Sequence, residues 1–153
     1  MAKLLATFVL TAAALLWEGR SAAEPGDEIF VVVNPANPAA TLTREELRPI
    51  FQTTKGEWPD GVKVEPINLA DESNVRHAFD AAVLGLDPDR VARYWVDRKI
   101  RGGERPPRKV SGASAAVRSV AGDKGGVAYV LRADLNASVK VVARISGGKV
   151  AAP

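Results

Sequence analysis

The sequence predicts a single compact α/β domain, a small mixed sheet flanked by helices. Three observations predict it. A continuous β-branched apolar run, Ile29 to Val33, suits a strand buried on both faces. Four segments between residues 43 and 122 space their apolar residues at helical intervals. Two further β-branched runs, 127–131 and 139–142, follow the last helix. Strands that alternate with helices bury their apolar faces by packing helices on a sheet.

The first strand, IFVVV, reads as a member of a parallel sheet and is stopped by Asn34-Pro35 and Asn37-Pro38. The first helix has an explicit start. Thr43 N-caps it, Glu46 completes a capping box, and Leu42 with Leu47 forms a hydrophobic staple. Leu47, Ile50 and Phe51 make its apolar stripe, and Pro49 keeps it short or kinked. Trp58-Pro59-Asp60-Gly61 is a turn in which Trp58 packs back on that helix. Val62, Val64 and Ile67 predict a second strand limited by Pro66.

Asp71 or Ser73 opens a second helix. Its face is Val75, Ala78, Phe79, Ala82 and Val83, and Gly85 closes it. Asp87-Pro88 opens a third, with Val91, Tyr94 and Trp95 inward. Residues 98–109, RKIRGGERPPRK, read as a basic, solvated loop broken by Gly and Pro. Ser111 or Ser114 begins a fourth helix with Ala113, Ala116, Val117 and Val120 inward. Gly125 and Gly126 lead into the strand at 127–131, and the last strand spans 139–142. Residues 144–153, rich in Gly, Ala and Pro, read as a flexible tail, which leaves 24–143 as the domain.

Residues 1–23 have the pattern of a secretory signal peptide. Lys3 is followed by a fourteen-residue uncharged run, Leu4 to Trp17, and Ser21-Ala22-Ala23 offers a cleavage site. The run is too short for a transmembrane anchor, which needs about 20 residues. The protein is therefore expected in the periplasm or secreted, with no stable membrane insertion after cleavage. The absence of cysteine excludes a lipidated cysteine, disulfides and thiolate metal sites. A net charge of +3 and 6% aromatics give neither the field nor the stacking platform that nucleic acid requires.

His77, the single histidine, has Ser73 four residues before it on one helix and nothing to orient it as a base. No catalytic residue, cofactor or metal site is predicted. Ser73, Asn74 and Arg76 at the start of the second helix form a candidate anion site, because free amides at a helix N-terminus attract negative charge. The alternative is an ordinary helix start with a solvated arginine.

The order of elements resembles the second lobe of the phosphate-type solute-binding proteins of ABC importers. The residues that carry the resemblance are Asn34, Leu42, Leu47, Ile50, Phe51, Trp58, Pro66, Ser73, Phe79, Trp95, Gly126 and Tyr129, across about residues 29–143. It implies a type II periplasmic-binding-protein-like fold and a non-enzymatic role in phosphate import. The implied ligand is inorganic phosphate or another oxyanion, and the implied partner an ABC transporter permease or other periplasmic protein. The family closes two lobes on its ligand, and this chain reads as one lobe or a reduced form. At the position of the family's phosphate-binding arginine, four residues before the helix-opening serine, stands Leu69, and Asp71 and Glu72 flank Ser73. Each carboxylate would repel a bound anion by about 1–4 kcal/mol in a partly solvated site. The alternative function is a periplasmic interaction or sensory module that kept the fold and lost the ligand.

Overall fold

A computed structural model describes residues 27–153. The leader predicted over residues 1–23 lies outside the described residues. Six strands form one sheet: β1 (Ile29–Val33), β2 (Glu65–Asn68), β3 (Arg108–Lys109), β4 (Gly126–Leu131), β5 (Lys140–Ser146) and β6 (Lys149–Ala151). Four helices flank it: α1 (Arg44–Phe51), α2 (Asn74–Val83), α3 (Pro88–Ile100) and α4 (Ala113–Ala121). The strand order is β3-β2-β4-β1-β5-β6, so the first strand lies inside the sheet.

All five residues of β1 are buried, as the apolar run requires. Its orientation differs from expectation. It pairs antiparallel with both β4 and β5, and only the β2–β4 and β2–β3 pairs are parallel. Burial on both faces demands apolar side chains whatever the strand direction.

The Asn-Pro loop after β1 is tied down by its two asparagines. The Asn34 amide donates to the Val120 and Ala121 carbonyls at the end of α4, and the buried Asn37 donates to Lys124 O. α1 carries the predicted capping box, and it ends at Phe51, two residues past Pro49. From its flank, Arg44 Nε donates to Ala82 O at 2.8 Å and Arg48 Nε to Val83 O at 3.2 Å. Two cations thus hold the C-terminal carbonyls of α2, where the helix dipole is negative.

Trp58 is buried, and its Nε1 donates to Gly125 O at 3.0 Å. This bond ties the Trp turn to the residue before β4, and the ring belongs to the buried core. Val62 precedes the second strand: a bridge between Glu57 and Lys63 closes the Trp turn, and β2 starts at Glu65. Pro66 lies within β2 and does not limit it. Glu65 N–H points to β4, so the missing Pro66 N–H faces the β3 side, where pairing begins only at Ile67.

Three other expectations are corrected. α3 buries Val91 but leaves Tyr94 and Trp95 half-buried, and it runs on to Ile100 through the start of the supposed basic loop. α4 is preceded by Gly112 without a side-chain cap. Residues 144–153 contain the end of β5 and all of β6, not a flexible tail. Gly147 and Gly148, both at positive φ, turn the chain back, and Ile145 pairs with Val150.

Candidate functional site

The site lies where β2 hands the chain to α2. Leu69 follows the strand, and a tight turn through Asp71 and Glu72 leads to Ser73, the N-cap residue of α2. Ser73 Oγ accepts the Arg76 amide at 3.3 Å, so the serine serves first as a helix cap. Asn74, the first residue of α2, is exposed to solvent.

Arg76 does not point into solvent. Its side chain is 7% exposed and its guanidinium is shared three ways. Nε donates to Asp80 Oδ2 at 3.3 Å, and Nη1 donates to Leu69 O at 3.2 Å and Asp71 Oδ1 at 2.5 Å. The other Asp71 oxygen accepts from Lys109 Nζ at 2.6 Å. One carboxylate therefore bridges a cation from α2 and a cation from β3. His77 Nε2 donates to the Asp71 carbonyl at 2.6 Å, which holds the turn against the helix. Asp71, one of the two carboxylates flanking Ser73, is thus engaged by two cations.

The two carboxylates are set apart by their surroundings. The Lys109 ammonium, and then the Arg76 guanidinium, hold Asp71 below the usual carboxylate range. Burial pushes Asp80 up, against the pull of Arg76. Behind them Tyr129, fully buried, stacks on Phe79 at a centroid distance of 3.8 Å, and Phe51 packs edge-on to both rings. Tyr129 Oη donates to Asn68 Oδ1 at 3.1 Å and accepts the Leu69 N–H at 3.3 Å. Burial also pushes the Tyr129 phenol above its usual range, so it stays a protonated donor.

Leu69 is core, 6% exposed. The guanidinium lacking at this position is nevertheless supplied nearby, because Arg76 reaches back to the Leu69 carbonyl. Beside this charged end opens a cleft of 340 Å³, walled by α3 and by Pro106 and Pro107.

Of the predicted residues, the structure brings Ser73 and Arg76 together and leaves Asn74 at the rim. Lys109, Asp71 and Asp80 complete the cluster. Asp80 was legible as the i+4 partner of Arg76. Lys109 was not, because only the β2–β3 pairing brings it within reach. Among the described residues no group of side chains could hold a metal ion, and no helix is long and apolar enough to cross a membrane.

No family model and no curated protein matches the chain. Solved structures do. An ABC-type phosphate transport receptor from Vibrio cholerae superposes with a TM-score of 0.62 at 21% identity, over 77% of this chain and 46% of that one. The fold is periplasmic-binding-protein-like. A putative phosphate ABC transporter substrate-binding protein from Clostridium perfringens, solved with bound phosphate, gives 0.63 at 19% identity, over 77% of this chain and 45% of that one. A possible phosphate binding protein from Planctomyces limnophilus gives 0.57 at 23%, over 78% and 42%. This chain thus spans less than half the length of each of these structures.

Proposed function

We propose that this chain is a non-enzymatic, extracytoplasmic solute-binding-protein-like domain that serves oxyanion import, phosphate foremost, by an ABC transporter. The anion is recognised at the start of α2, by Arg76 with Ser73 and Asn74, joined by Lys109. A transporter permease is the natural partner. One observation carries the reading: two cations from separate elements already converge on a single carboxylate. Asp71 occupies the position between them that an incoming oxyanion would take. Its side chain is 63% exposed on a turn, so it can swing outward without unpacking the core. The solved phosphate receptors with this fold support the ligand class.

The same geometry makes binding weak. An anion must displace Asp71 from both cations, and the freed carboxylate remains nearby at a cost of about 1–4 kcal/mol. Titration calorimetry with inorganic phosphate tests this on the chain without residues 1–23. The wild type binds weakly, and Asp71→Asn binds tighter by about tenfold or more. If neither protein gives heat at millimolar phosphate, the ligand role fails and an interaction module that kept the fold takes its place.

A further inference from the structure

The cleft beside the cluster has two unlike halves. One end is polar, with Asp71, Arg76, His77, Asp80 and Lys109 in its lining, so a bound anion faces two carboxylates as well as two cations. The remaining wall is apolar, formed by α3, including Trp95, and by Pro106 and Pro107. Trp95 is half-buried, and its ring meets the Tyr94 ring edge-on at 4.9 Å, which limits its movement. Inorganic phosphate is polar on every side and gains nothing from such a wall. A pocket of a few hundred cubic ångströms, mostly apolar with a few converging polar groups, suits a small organic molecule. The cleft's 340 Å³ falls in that class.

We propose that the site prefers an organic phosphomonoester with a planar or apolar body over free phosphate. Its phosphoryl group replaces the Asp71 carboxylate between Arg76 and Lys109, and its body lies along Trp95 and the Pro106-Pro107 wall. This rests on the anion site assigned above and adds the chemistry of the rest of the ligand. An aromatic side chain offers a flat apolar face to a ring at little entropic cost. The exposed ammonium of Lys109 sits where the charged group of such a ligand would enter.

Calorimetry with inorganic phosphate, phenyl phosphate and phenol tests the proposal on the wild type and on Asp71→Asn. Phenyl phosphate binds about tenfold tighter than phosphate, and phenol alone binds far more weakly than either. Trp95→Ala removes the advantage of phenyl phosphate and leaves phosphate affinity unchanged, whereas Trp95→Phe keeps most of it. Circular dichroism verifies that both variants fold, and the comparison of ligands on unmutated protein needs no variant. Equal binding of phosphate and phenyl phosphate overturns this inference while leaving the anion site intact. Loss of both anions from the wild type and from Asp71→Asn overturns the site itself.

Discussion

Replacing Tyr129 by Phe tests whether the buried phenol holds the end of β2 in place. The ring remains, and so does its stacking on Phe79. What disappears is one oxygen with two partners, the Leu69 N–H and Asn68 Oδ1. Leu69 is 6% exposed and Asn68 4%, so water does not readily replace the hydroxyl. A buried polar group left without a partner costs about 1–3 kcal/mol. Partial relaxation at the strand end brings the expected total to about 2–4 kcal/mol, a large part of the about 5–15 kcal/mol typical of a domain. Urea unfolding should show a lower midpoint with an unchanged slope. Hydrogen exchange should show the Leu69 amide opening faster than the amides of β1. A Tyr129→Phe protein within about 0.5 kcal/mol of wild type, with Leu69 still protected, would refute the reasoning.

Gly125→Ala should destabilise by about 2–3 kcal/mol in urea unfolding, because overpacking forces backbone to move. A Cβ there would lie 1.9 Å from the Lys63 carbonyl oxygen, and Gly125 O holds both Trp58 Nε1 and Glu65 N. Arg44→Ala combined with Arg48→Ala should cost about 2 kcal/mol by the same measurement, since both guanidinium groups bond the last carbonyls of α2. The pH dependence follows from Asp71, whose folded value lies below its ordinary 3.8. Its contribution is complete above that value and disappears as pH falls through the lower folded one. Asp80, raised by burial, acts in the opposite sense, losing stability as pH rises toward its folded value. The stability gap between wild type and Asp71→Asn should therefore narrow from pH 5 to pH 2 in urea melts, and a gap constant with pH would contradict the Lys109 and Arg76 pairing.

What the sequence made legible was local. The box of Thr43 and Glu46, the Ser73 cap and the burial of Ile29–Val33 all depend on residues a few positions apart. Strand direction was hidden, because apolar content reports burial and says nothing of polarity. β6 was hidden for another reason: Gly147 and Gly148 read as flexibility until strand pairing shows them as a turn. The candidate site was half visible. Ser73 and Arg76 share a helix turn, but the Asp71–Lys109 bond and the Tyr129–Leu69 bond join residues far apart in the chain. Pattern within a window cannot reveal such pairs.

The position of β1 governs when the molecule can form. Val31 faces Tyr129 on one side and Ala143 on the other, so the earliest strand to emerge has both partners in the last third of the chain. Closing so long a loop is entropically costly and slow. A nascent chain must hold this fully buried strand unpaired until nearly everything else has arrived. The same pairing makes completeness a condition of folding: any product ending before Lys140 leaves one edge of β1 open, available to a chaperone, a protease or another β1.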